Sequence, residues 1–232
     1  MRVLVVGAHP DDAEFYCGGT IAKCVNRGDD VYIAVVTDGS RGSDTNEKEA
    51  TATRHAEATA AAGLVGAKLI WLGLRDASLL YTEENRLKIV GAFREANPDV
   101  VLTHSPDDYH PDHVNTGRMA SDASILGSLK LIDSPYPPMS TVPCVYYMDH
   151  CTGVGFNPDT YVDITDTFNT KQEMLRCHNS QVSWLQEQFG MSVLDDVEIM
   201  SKFRGMQCRK AYAEGFVQMK AYPRIGAQRL QP

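Results

Sequence analysis

An α/β fold of the Rossmann-like, doubly wound kind, with a mainly parallel sheet and helices on both faces, is predicted by three observations. Short β-branched runs alternate with longer amphipathic ones through the first half of the chain, the pattern of βαβ units. The first run, RVLVVG at 2–7, is apolar at nearly every position, as a strand covered on both faces must be. The length of 232 residues is enough for one sizeable core, so a single domain over 1–232 is expected.

The elements follow in order. After the strand at 2–7, EFYCGGTIAKCVNRG at 14–28 reads as a helix with Phe15, Ile21, Cys24 and Val25 inward and Gly28 as its stop. Gly18 and Gly19 cost helix propensity, and close packing against the sheet is their expected purpose. VYIAVVT at 31–37 is the second strand, 38–46 a polar Gly/Ser loop, 47–62 an Ala-rich helix, and KLIWLGL at 68–74 the third strand. A helix runs from Thr82, its expected N-cap, to Ala96, where Asn97-Pro98 ends it. DVVLTH at 99–104 is the fourth strand, followed by the loop SPDDYHPDH and a helix from Val114 to Leu129. The proline-dense stretch 133–143 is a surface excursion, because CVYYMD at 144–149 resumes a strand pattern at once. TYVDIT at 160–165 is a further strand, and helices are expected over 166–189 and 195–214.

Composition excludes several classes. A net charge of -8 without a dense Lys/Arg run argues against nucleic acid as a partner. No apolar run is long enough to span a bilayer and the start lacks a signal-peptide pattern, so the reading is a cytoplasmic protein. Six cysteines at irregular spacings without CxxC read as reduced thiols rather than a zinc knuckle or redox pair.

In an open α/β sheet, ligands gather beyond the carboxyl ends of the strands where strand order reverses. With the order 3-2-1-4-5, that point lies between strands one and four. HPDD follows the first and HSPDDYHPDH the second, so His9, Asp11, Asp12, His104, Asp107, Asp108, His110, Asp112 and His113 face one crevice. Such a crowd of imidazoles and carboxylates suffers desolvation and like-charge repulsion, which a divalent cation compensates. Mixed His/Asp donors suit zinc, iron or manganese better than calcium or magnesium. Of the adjacent aspartates, one can bind metal while the other takes a proton from water. The competing structural reading makes Asp12 a helix N-cap and Asp11 a complement to the helix dipole. Sequence spacing does not choose between His110 and His113 as a ligand.

AHPDDAE with HPDH farther on resembles the PIG-L/LmbE-like zinc deacetylases, over most of the chain. TDG at 37–39, Arg54 with Glu57, LGLRD at 72–76 and HNSQ at 178–181 look like the family's lesser landmarks. The resemblance implies that His9, Asp12 and His113 hold zinc, with iron(II) permitted by the same donors, and that Asp11 is the general base. It implies that His110 is a protonated group stabilising the oxyanion and aiding amine departure, with Asp112 holding its imidazole. Arg54 and Asp76 are implied to bind the sugar; the plain alternatives are an Arg54–Glu57 surface ion pair and a turn aspartate. His104 and Asp107 receive no role, and His55, His150 and His178 read as structural. The implied reaction is removal of an acetyl group from an N-acetylated amino sugar or small glycoconjugate. The proline-dense stretch and the last hundred residues are expected to wall the pocket and to form the contacts of a homo-oligomer. The alternatives are a metal-dependent phosphoesterase, for which no P-loop or second ligand set is assignable, and a noncatalytic sugar- or nucleotide-binding module, for which GxGxxG is missing.

Overall fold

The computed structural model describes residues 1–222 and forms one sheet with helices on both faces. Five parallel strands, β1 (Arg2–Gly7), β2 (Asp30–Thr37), β3 (Lys68–Leu74), β4 (Val100–Thr103) and β5 (Cys144–Met148), lie in the order β3-β2-β1-β4-β5. Beyond them, β6 (Thr160–Asp163) and β7 (Ala213–Gln218) extend the sheet, with β7 between β5 and β6 and antiparallel to both. The helices are α1 (Asp12–Asn26), α2 (Glu47–Val65), α3 (Glu83–Ala96), α4 (Pro111–Leu126), α5 (Phe168–Arg176), α6 (Asn179–Phe189) and α7 (Val193–Cys208).

The continuous apolar character of β1 has a direct cause. Leu4 and Val6 pack with Ile89 and Phe93 of α3 and Met119 and Ala120 of α4, whereas Val3 and Val5 face the opposite way, onto Tyr16, Cys17 and Ile21 of α1. Both faces of the strand are therefore out of water. Order reverses between β1, which leads through α1 to β2, and β4, which leads through α4 to β5. Val3–Val6 pair in parallel with Val100–Thr103, so the two loops leave the sheet side by side.

Several boundaries differ from the sequence expectation. α1 starts at Asp12 rather than at 14 and α4 at Pro111 rather than Val114, with His110 as its N-cap. Proline is well suited to that first helical position, where its missing N–H costs nothing. The expected helix over 166–189 is broken at Cys177 and His178 into α5 and α6, and the expected helix 195–214 ends at Arg209, in the left-handed region with φ 60°. Its last residues belong instead to β7, which the sequence reading did not foresee.

Gly18 and Gly19 pack closely, but not against the sheet. A Cβ at Gly19 would meet Ile164 at 2.7 Å, and one at Gly18 would meet Lys171 of α5 at 3.0 Å. α1 is also kinked, with Cys17 at φ -143° and ψ 22°. The Glu214 carboxylate from β7 accepts from Gly19 N, Thr20 N and Thr20 Oγ1, and pairs with Lys171. It thus satisfies N–H groups that the interrupted helix leaves free.

Candidate metal centre and active site

The loop after β1 and the loop after β4 meet through Ala8 N–H, which donates to His104 Nε2 at 3.0 Å. His104 is fully buried, stacked on His113 with ring centroids 3.9 Å apart, and burial pulls its pKa down to about 4. Tyr16 of α1 sets its ring edgewise against both imidazoles. His104 Nε2 also lies 3.0 Å from Asp12 Oδ2, so these packed rings back the Asp12 carboxylate.

At the front, one nitrogen each of His9 and His113 converges with the two carboxylate oxygens of Asp12. His113 Nε2 lies 3.2 Å from His9 Nδ1, His9 Nδ1 lies 3.4 Å from Asp12 Oδ2, and His113 Nε2 lies 3.6 Å from Asp12 Oδ1. Metal–ligand bonds of about 2.0–2.1 Å in a tetrahedron imply ligand–ligand edges of roughly 3.3–3.4 Å. The opposite nitrogen of each ring is turned to a carboxylate. His9 Nε2 is 3.4 Å from both Asp112 Oδ2 and Asp76 Oδ1, and His113 Nδ1 is 3.1 Å from Asp108 Oδ2. With protons on those nitrogens, two lone pairs and a carboxylate point at one another, an arrangement that needs a cation between them. His9, Asp12 and His113 accordingly fit a divalent cation with His/Asp preference. The same demand appears in the electrostatics. Desolvation opposes the charge on His9, yet Asp12, Asp112 and Asp76 push its pKa well above the ordinary value. Asp12 is desolvated too, but His113, His104 and His9 hold its carboxyl well below the usual range.

Three overlapping groups can each bring three donor atoms within 4.8 Å of one another: His9 with His110 and His113, Asp12 with His104 and His113, and His9 with Asp76 and Asp112. Asp76 and Asp112 have prior claims on their oxygens. Asp76 accepts from Arg41 N, and Asp112 accepts from Ala77 N and Leu79 N. Ala77 adopts φ 52°, which turns its N–H toward Asp112.

Asp11 sits beside the convergence point as the N-cap of α1, at φ 114° and without a side-chain capping bond. Its carboxylate therefore does not cap the helix; it lies 3.3 Å from Arg54 Nη2. Burial raises Asp11 to about 6, and Arg54 opposes the rise. Asp12 is the first residue of α1 rather than its cap, and accepts from His9 N at 2.6 Å.

Arg54 is not in a surface pair with Glu57. It is only 4 % exposed, donates to Pro10 O and Gly39 O, and faces Asp11, whereas Glu57 accepts from Ser180. The structure thus brings Arg54 to Asp11 and Asp76 to His9. His110 also differs from the expectation. Its Nδ1 accepts from Asp112 N–H at 3.2 Å, the capping bond of α4, while the Asp112 carboxylate turns away to His9 and the 77–79 backbone. Residue 112 holds His110 by its backbone, not by its carboxylate. An accepting Nδ1 requires a neutral ring with the proton on Nε2, and desolvation with the nearby His9 and His113 lowers the His110 pKa. Asp108 went without a role in the sequence reading, although the doubled aspartate in SPDDYHPDH was its only signal. Asp107 stays out of the site, its N–H donating to Ser105 Oγ. Of the histidines read as structural, His55 stacks edgewise on Trp71, His150 lies against Val154 O, and His178 is buried 3.3 Å from Glu14.

The convergence opens into a cleft of 440 Å³. Asp11, Asp12 and His110 line it together with Phe15, Leu185, Phe189, Met191 and Val193; Phe15, Leu185 and Val193 belong to one apolar cluster. The described chain can therefore hold a cation, a base and an N–H donor beside space for a small molecule.

Residues 4–124 match the family model PIG-L, described as GlcNAc-PI de-N-acetylase. The chain is 32% identical over 192 residues to a diacetylchitobiose deacetylase of Thermococcus kodakarensis, covering 78% of this chain and 70% of that protein. It is 25% identical over 248 residues to a 4-oxalmesaconate hydratase of Pseudomonas putida, covering 96% and 90%. Among solved structures, the N,N'-diacetylchitobiose deacetylase of Pyrococcus horikoshii, in complex with an inhibitor, superposes with a TM-score of 0.82 at 29% identity, covering 94% of this chain and 83% of the other.

Proposed function

The chain belongs to the PIG-L family, and from that membership we propose that it is a metal-dependent N-deacetylase that hydrolyses the acetamide of an N-acetylated amino sugar or small glycoconjugate. The observation that carries this reading is the trio of facing donors on His9, Asp12 and His113, with the Asp11 carboxylate next to them in the chain, paired with Arg54 and lining the same cleft. His9, Asp12 and His113 would hold the ion; Asp112, Asp76 and Asp108 fix the tautomers of the two imidazoles. Zinc is the proposed ion, and iron(II) suits the same donors. When bound, such an ion lowers the pKa of water and polarises a carbonyl oxygen.

The protein groups supply the rest. Asp11 accepts a proton from the attacking water, as a carboxylate with a pKa raised to about 6 can near neutrality. Arg54 keeps that carboxylate aimed into the cleft. His110, as a neutral ring with its Nε2 proton directed away from the α4 cap, donates a hydrogen bond to the carbonyl oxygen as negative charge grows there. The C–N bond then breaks, and the proton taken by Asp11 passes to the departing nitrogen, leaving acetate and a free amine.

The test is acetate release from N-acetylglucosamine derivatives by metal-loaded protein, with metal content measured on the same sample. Turnover with about one ion per chain is the expected outcome; absence of acetate across the panel despite bound metal overturns the reading. The hydratase relative supplies the runner-up, addition of water to an unsaturated acid. Loss of the conjugated absorbance of such an acid, without acetate release from any amide, is the result that favours it.

A further inference from the structure

The apolar lining of the cleft that Asp11, Asp12 and His110 share is built from a different part of the chain. Leu185 and Phe189 come from the end of α6, Met191 from the turn, and Val193 from the start of α7. All four lie outside residues 4–124, the portion that matches the family model. This wall is therefore a feature of this chain's C-terminal half rather than of the catalytic loops.

Its chemistry is one-sided. Among the described residues lining the cleft there is no Lys or Arg. The Arg54 guanidinium donates to Pro10 O and Gly39 O and pairs with Asp11, and Arg204 pairs with Asp149. Phe189 is 64% exposed and Tyr109, beside His110, is 71% exposed. Two aromatic side chains left in water at the mouth of a cleft are costly unless something covers them.

We infer that this wall is the subsite for the group attached to the amino sugar, and that the preferred substrate is an N-acetylated aminoglycoside whose aglycone is uncharged and apolar. The inference rests on the deacetylase reading above for its position relative to the acetamide. An aryl or alkyl aglycone covers Phe189, Met191 and Leu185, whereas a phosphate or carboxylate there meets no cation and lies near Asp11 and Asp12. Removing about 60 Å² of apolar surface from water corresponds to roughly tenfold in affinity.

The experiment compares acetate release by metal-loaded protein from N-acetylglucosamine, its octyl and phenyl β-glycosides, and its 1-phosphate. Expected are kcat/KM values for the two apolar glycosides at least tenfold above the free sugar, carried mainly by KM, with the 1-phosphate below it. In Phe189→Ala and Met191→Ala the octyl-to-free ratio falls at least fivefold. A ratio near one in the wild type, a preference for the 1-phosphate, or a ratio unmoved in both variants overturns the inference. Binding is read separately through Trp184, whose ring stands edgewise 5.5 Å from Phe189. Tryptophan fluorescence should change on titration with the octyl glycoside, and the change should be lost in Trp184→Phe and weakened in Phe189→Ala. If no compound releases acetate but this binding persists, the deacetylase reading fails while the apolar subsite stands; no fluorescence response to the octyl glycoside removes the subsite itself.

Discussion

Asp11 is held at φ 114°, a region that L side chains rarely adopt, and its carboxylate is buried against Arg54. Strain and desolvation at one residue are the mark of a site that trades stability for chemistry. Because folding raises the Asp11 pKa from 3.8 to about 6, the folded protein binds the extra proton between these values. Its contribution therefore weakens metal-free stability as pH rises through that window, by about 2–3 kcal/mol at pH 7.5. Asp11→Asn should remove this penalty: the metal-free variant melts higher than wild type at pH 7.5 and the gap closes toward pH 4.5, while acetate release falls by about 10²–10⁴. An unchanged melting difference across pH contradicts the assignment. Asp12→Ala should instead abolish metal binding, read by metal content after gel filtration, whereas Asp11→Asn retains the ion. Metal loss equal in both contradicts the proposed division between the neighbours.

At the scale of the elements, the site depends on how closely two helices approach the loops they hold. A Cβ at Gly117 of α4 would overlap the backbone carbonyl of His104. Gly117→Ala must therefore push α4 away from the loop after β4, and His113 moves with it. Expected are a destabilisation of about 1–3 kcal/mol and a weaker affinity for zinc, measured by thermal melts and competitive metal titration. Gly63→Ala is the control, since a Cβ there meets nothing within 4 Å; equal behaviour of the two variants removes the packing argument. These element contacts also show what a linear pattern hides. The strand and helix order of the first half was legible because each run carries its own period. The ends are less so: Pro111 opens α4 through capping, and the expected helix to 214 takes in Ala213 and Glu214 of β7, a strand whose glutamate has its partners remote in sequence.

That glutamate ties the whole molecule together. Glu214 of β7 accepts from Gly19 and Thr20 at the kink of α1 and pairs with Lys171 of α5, and all four residues are buried. Glu214→Ala leaves Lys171 charged and unpaired and frees two N–H groups of the helix that carries Asp12, at a cost of about 3–5 kcal/mol. Pairing it with Lys171→Met should restore part of the loss in denaturant melts; strict additivity of the two changes contradicts a coupled lock. At the same scale, zinc at about a hundred times its dissociation constant should stabilise the wild-type fold by roughly 2.7 kcal/mol, a shift absent in Asp12→Ala.

The sequence by itself determined the alternation of strands and helices and the places of HPDD and HPDH after the first and fourth strands, because these follow from local period and short motif. The strand order β3-β2-β1-β4-β5 that makes the two motifs meet is a pairing of remote segments, which the structure decides. Nor could the sequence decide which partner each side chain keeps. That Arg54 serves Asp11, that the Asp112 carboxylate turns to His9, that Asp108 fixes His113, and that residues 185–193 wall the cleft depend on distances between segments far apart in the chain. Hydrogen bonds and burial act over a few ångströms, so only the packed arrangement of the elements selects among partners that the sequence leaves equally available.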